Sequence, residues 1–246
     1  EHLTKYADSI YLHHWKETVL AFQSPLAKLE KINPRNLELA VTSSYHIQAL
    51  RKNKVNDITP VTILGLILTS DNKFIYGLRG GQVGKGQANT VPGGHVARSS
   101  NQNSIFSSLY GETIEETGMT KEDVKKFLLI GHQTDPAYKS LCFVAHAETI
   151  YHSAELKEIH QEAFQVYNRA LHSGKSELEA REEIAQKNYP NIDAWENTEL
   201  IFLEKDQSKI DATILSGKME FKNKLYPTFD NSIGSLILYR EFLKAN

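Results

Sequence analysis

Seven glycines fall within the twenty residues 77–96, and this stretch constrains the fold of the chain more than any other. A backbone this rich in glycine is poorly suited to a helix or strand interior. It suits a loop where main chain must approach something closely. Two runs precede it: Val61–Thr69, β-branched and apolar, and Lys73–Leu78. The turn Ser70-Asp71-Asn72 separates them, which is a hairpin signature. Residues 104–117 follow with a helical pattern, and Gly118 is placed to cap its C-terminus. The skeleton is therefore strand, turn, strand, glycine loop, helix.

The flanking segments add elements of both kinds. Trp15, Val19, Phe22, Leu26 and Leu29 recur at roughly helical spacing. They predict a helical region over 1–35, with a break at Pro25 and an end at Asn33-Pro34. Leu37, Leu39 and Val41 alternate like a strand, and His46–Lys54 reads as a helix. Phe127–Gln133 and Ser140–Ala147 are strand-like, joined by a turn holding Asp135-Pro136. Residues 154–187 are charged and helical, broken at Ser173-Gly174. A short strand at Leu200–Leu203 precedes helices over Asp206–Leu215 and Ser232–Leu243. Strands come first, with helices between and after them, which indicates an α/β (α+β) sandwich.

Charge narrows the possible partners. Lys+Arg is 28 and Asp+Glu is 30, so 28 − 30 = −2. That balance lacks the basic excess of a nucleic-acid binder and the polybasic tract of a peripheral membrane protein. No run approaches the roughly 18 apolar residues that span a bilayer. Cys142 is the single cysteine, so neither an intrachain disulfide nor a cysteine zinc site is expected. A reducing, cytoplasmic compartment fits, and Cys142, between Leu141 and Phe143, reads as core.

The chemistry concentrates in Val91–Met119. Glu112, Glu115 and Glu116 stand at i, i+3 and i+4, within roughly a 100° arc of a helix. Three carboxylates on one stripe repel unless they are solvated or bound to a cation. Oxygen ligands suit Mg²⁺, with Mn²⁺ a second option. Taken alone, such a triplet is most simply a solvated acidic face.

Context changes that reading. A strand, the Gly93-Gly94 turn and a helix carrying Gly111-Glu112-Thr113-Ile114-Glu115-Glu116-Thr117-Gly118-Met119 resemble the box of the Nudix hydrolase family. The resemblance implies a Nudix-like α/β/α sandwich over residues 58–246, with residues 1–57 as an extension packed on it and a helical insertion at about 154–197. It implies a pyrophosphatase that cleaves a nucleoside diphosphate linked to another group. Glu112, Glu115 and Glu116 would be both catalytic residues and metal ligands, and the Gly94 carbonyl a further ligand. Arg79, Lys85, Gln87 and His95 are the candidate substrate contacts. A guanidinium such as that of Arg79 grips two phosphate oxygens at once.

This chain departs from the family box at four places. Gly111 stands for the arginine that orients a glutamate, and Thr113 for an apolar residue. Asn103 occupies the place of the first glutamate, and the loop from Gly94 to Glu112 is three residues longer. The metal-binding triplet is intact, while the groups around it are changed.

The Phe106-Ser107-Ser108 run and Gly234-Ser235-Leu236-Ile237-Leu238-Tyr239 resemble the UDP-glucose pyrophosphatase branch. The amides of Gln82, Gln87 and Asn89 can both donate and accept, as the edge of uracil requires. The expected reaction is therefore UDP-sugar to UMP and sugar 1-phosphate. The alternatives are a Nudix hydrolase of ADP-ribose, a dinucleotide or an NTP, and a degenerate domain that binds a nucleotide without cleaving it. The expected partner is a small nucleotide diphosphate, with neither nucleic acid nor membrane. The insertion, whose partial apolar face carries Ile159, Phe164, Tyr167 and Leu171, reads as a helical pair on the sheet. Its sharper readings are a lid or a homodimer contact.

Overall fold

A computed structural model describes residues 25–32, 37–43, 59–80, 84–96, 105–135, 140–187, 189–191 and 193–245. The expected helix His46–Lys54, the turn at Asp135-Pro136 past its first residue, and the residues Gln82 and Asn103 lie outside them. The hairpin is present as β3 (Thr59–Leu68) and β4 (Lys73–Arg79). Its strands pair only at the turn, Leu68 with Phe74, and then part. β3 runs parallel to β8 (Ser140–Glu148) over Val61–Leu68. β4 pairs antiparallel with β9 (Asn197–Glu204).

The glycine-rich segment fills the gap where they part. Two short strands, β5 (Ala88–Thr90) and β6 (Gly93–His95), were expected only as loop. β5 pairs with Tyr76–Leu78 and β6 with Thr62–Leu64. Between them the Pro92 carbonyl accepts from the Gly65 N–H at 2.8 Å. Close approach is what the glycines permit: a Cβ at Gly93 would stand 2.4 Å from Leu64 Cδ2.

One segment differs from its expected structure. Residues 25–32 form a strand, β1 (Pro25–Ile32), and not part of a helix. It pairs antiparallel with β2 (Leu37–Ser43) and, through Lys28 and Leu29, with Pro60 and Thr59 at the start of β3. The alternating run at 37–43 needs a ladder partner, and its nearest neighbour in sequence supplies one. Such tertiary pairing overrides local propensity.

Helices cover both faces of the sheet. The sheet's strand alternation sorts Val61, Ile63, Ile67 and Ile75 to one side, where they bury Leu109 of α1 (Ile105–Thr117) and Leu156 of α2 (Ser153–His172). Leu66, Leu68, Phe74 and Tyr76 face the other side. There they meet Ile210 of α4 (Gln207–Ser216) and Leu236 and Tyr239 of α5 (Asp230–Ala245). Burying each such side chain is worth about 1.5–3 kcal/mol, which fixes which face each helix presents. The architecture is a mixed α/β/α sandwich. β7 (Leu128–Asp135) continues the sheet beyond β8.

The charged segment after β8 folds as two helices, α2 and α3 (Glu177–Gln186), followed by a 3₁₀ turn at Ala194–Glu196. A small hairpin, β10 (Lys218–Phe221) and β11 (Lys224–Pro227), turns through Lys222 and Asn223, both at positive φ. Cys142 is fully buried. Among the described residues no helix is long and apolar enough to cross a membrane.

Candidate carboxylate site

α1 stops at Gly118, whose φ of +79° closes the helix as a left-handed cap. Leu109, Thr113, Glu116 and Thr117 form its buried face. The Thr113 hydroxyl donates to the Leu109 carbonyl at 2.6 Å. A polar group can therefore replace an apolar one here without leaving an unpaired donor.

Burying Glu116 on that face is the costly choice. Its carboxylate accepts from the Gly93 N–H at 2.9 Å, and the residue is 2% exposed. Glu112 reaches the next glycine: a Cβ at Gly94 would stand 2.0 Å from Glu112 Oε1. The Gly-Gly turn is thus a cradle for two glutamates, and a side chain at Gly94 would occupy it.

A second acidic element arrives from the end of the insertion. The Asp193 N–H donates to the Glu115 carbonyl at 2.8 Å, which docks the 3₁₀ turn on α1. Asp193 Oδ1 accepts from Trp195 Nε1 at 2.9 Å. Glu196 is ion-paired with Arg79. Its carbonyl accepts from the Gly80 N–H at 2.9 Å. The turn is held from behind by buried His160, whose Nε2 pairs with the Ala194 carbonyl at 3.1 Å.

These groups crowd negative charge into a poorly solvated space. Burial, then the charges of Glu115, Glu196 and Asp193, push the Glu112 carboxyl up to about 8. Burial, Asp193 and Glu196 raise Glu115. Burial and the charges of Glu112 and Glu196 raise Glu116 well above the carboxylate range, against the pull of the Gly93 N–H and Arg79. Burial also raises Asp193. A cluster so shifted takes up protons or a cation.

The structure brings Glu112, Glu115, Glu116 and Gly94 together. Arg79 lies at their margin, with its guanidinium committed to Glu196. His95 is exposed at the end of β6, opposite Thr62. Lys85 is exposed in the turn 84–86. Gln87 closes that turn with its backbone, the N–H on the Gly84 carbonyl and the carbonyl on the Arg79 N–H. Asp193 and Glu196 were not among the expected site residues. Their signal was an i, i+3 acidic pair just before a strand, at the end of the insertion.

The donor set is all oxygen and fits a divalent cation such as Mg²⁺ or Mn²⁺ by its chemistry. As placed, Glu116 faces the Gly93 N–H and Glu112 fills the space at Gly94. Among the described residues no group of three His, Cys, Asp or Glu is set to hold a metal ion. The carboxylates would have to turn toward one another to do so.

The fold and site define a mixed α/β/α protein with an acidic helix cradled on a Gly-Gly turn. No family model matches the chain, and no curated protein matches it. Solved structures do. It is similar to a NUDIX hydrolase from Nitrosomonas europaea at 22% identity and TM-score 0.30, over 39% of this chain and 62% of that one. It is similar to the NUDIX domain of Shewanella oneidensis NrtR complexed with ADP ribose at 15% identity and TM-score 0.30, over 38% and 62%. A MutT protein from Methanosarcina mazei Go1 matches at 19% identity and TM-score 0.30, over 38% and 64%. The chain thus spans about three fifths of the length of the first of these proteins.

Proposed function

We propose that the chain is a divalent-metal-dependent hydrolase that cleaves the diphosphate bond of a nucleoside diphosphate derivative. The observation that carries this is the pair Glu112 and Glu116, held by one Gly-Gly turn, with burial and neighbouring carboxylates raising both. Glu112, Glu115 and Glu116, with the Gly94 carbonyl, would hold the cation. A bound Mg²⁺ would polarise phosphoryl oxygens and acidify a water. Glu112 would then take the water's proton at Oε1. Arg79 would position a phosphate oxygen once released from Glu196, a competition between two anions for one guanidinium. Asp193 and Glu196 keep the Arg79 side of the site acidic until substrate enters.

For the base, we favour a reading that does not single out uridine. The amide argument for a UDP-sugar weakens at Asn89, whose Oδ1 accepts from Ser232 Oγ at 3.2 Å. That oxygen is committed inside the protein between β5 and α5. ADP-ribose, dinucleotides and NTPs therefore stand ahead of UDP-glucose.

The test is product analysis with ADP-ribose, UDP-glucose, a dinucleoside polyphosphate and an NTP, with Mg²⁺ and with EDTA. Expected is Mg²⁺-dependent release of a nucleoside monophosphate from at least one, with ADP-ribose at or above UDP-glucose. A UDP-glucose preference above about tenfold in kcat/KM, or about 1.4 kcal/mol, would return the UDP-sugar reading. Binding without any cleavage would leave the degenerate binding domain.

A further inference from the structure

A cavity of about 530 Å³ opens between the first turn of α2, the end of β9, α4 and the β10–β11 hairpin. It runs along the outer edge of β9, from Glu204, opposite Lys73, toward Glu199, opposite Leu78. The residues lining it are distinct from the carboxylate site on α1 and the Gly-Gly turn. Its volume is that of a small-molecule site, roughly 300–1,000 Å³.

The lining is built of two chemistries. Five lysines face it, Lys73, Lys157, Lys209, Lys218 and Lys222, against the carboxylates of Glu204 and Glu220. Phe202, Leu203, Phe221 and Leu225 supply apolar surface. The Phe221 ring has two ammonium groups over it, Lys157 Nζ at 5.6 Å and Lys222 Nζ at 5.0 Å from its centroid. Both also converge on one oxygen, Glu199 Oε1, at 2.6 and 2.8 Å. The protein has placed two cations where a single anionic oxygen satisfies both, beside an aromatic face. Lys218 is exposed on the adjoining strand.

We propose that this cavity is a second ligand site, for a nucleoside phosphate. The phosphoryl oxygens would take the place of Glu199 between Lys157 and Lys222, with Lys218 as a third cation. The planar base would lie on the apolar wall of Phe221, Phe202 and Leu225. Lysines without the wall would suit any anion. The wall without lysines would suit any apolar body. Their combination selects a ligand that carries both, and the site stands without the metal chemistry of the carboxylates.

The experiment is calorimetric titration of the full chain in EDTA with AMP, UMP, adenosine and inorganic phosphate. The account expects AMP or UMP to bind saturably, one per chain, at least about tenfold tighter than adenosine or phosphate alone. The double variant Lys218→Glu/Lys222→Glu should weaken that binding by at least about tenfold. Ala212→Trp, which fills the cavity from α4, should abolish it, with cooperative unfolding preserved. Glu116→Gln should leave it unchanged. The proposal is overturned if neither nucleotide binds saturably, if binding survives both cavity variants, or if Glu116→Gln removes it.

Discussion

Gly94 is where backbone geometry and carboxylate chemistry meet in one residue. Its missing side chain leaves the space that Glu112 Oε1 fills. Gly94→Ala should drive the glutamate out of the cradle while leaving the β6 ladder to Ile63 intact. We expect turnover to fall by about 100-fold, the scale of an ångström-sized misplacement, with the unfolding midpoint little changed. Steady-state kinetics beside a denaturant melt checks this, and turnover near wild type would detach Gly94 from the site. Gly111 is the opposite case. A Cβ there meets nothing within 4 Å, so a side chain can be added without a clash at its root. Gly111→Ala should therefore stabilise α1 by about 0.5–1 kcal/mol. Gly111→Arg should tighten Mg²⁺ binding or raise the rate, and an arginine that lowers both would show that Arg79 already meets the need.

At the scale of elements, the sequence was legible wherever one local rule decided the outcome. The apolar runs of β3 and β8, the cap at Gly118 and the break at Ser173-Gly174 all follow from side-chain period or turn chemistry within a few residues. The acidic face of α1 was equally plain. What sequence hid was pairing at a distance. β1 is a strand because β2 and β3 offer it a ladder, and its helical spacing could not reveal that. β5 and β6 are too short and too rich in glycine to show alternation. Asp193 and Glu196 reach the site only because the insertion folds back and docks the 3₁₀ turn on Glu115. The contact that holds this turn, His160 to the Ala194 carbonyl, has its own consequence. Burial lowers the His160 imidazole to about 4 from its usual 6.5. The unfolded chain then binds the extra proton between those values, so stability is present above pH 6.5 and is lost as pH falls toward 4. The loss approaches about 3 kcal/mol. Urea midpoints at pH 7 and pH 4.5 should separate wild type from His160→Gln, whose midpoint should fall less over that range. Parallel losses would remove His160 from the acid response.

Across the whole molecule, the sandwich places two chemically distinct regions along β4 and β9. Buried carboxylates gather on α1 and the Gly-Gly turn beside Arg79, and a lysine-lined cavity follows the outer edge of β9. α2 spans both, with Lys157 at the cavity and His160, one turn on, behind the 3₁₀ turn. The central claim concerns the first region: the buried carboxylates exist to hold a cation against a diphosphate. Glu116 tests it most directly, because it is the most buried of the three and because glutamine keeps its shape and its acceptor for the Gly93 N–H. The measurement is Mg²⁺-dependent hydrolysis by Glu116→Gln on the substrate that wild type cleaves best, alongside its unfolding transition. The account predicts a fall of at least about 100-fold, or about 2.7 kcal/mol at the transition state, in a variant that still unfolds cooperatively. Turnover within about twofold of wild type would contradict it.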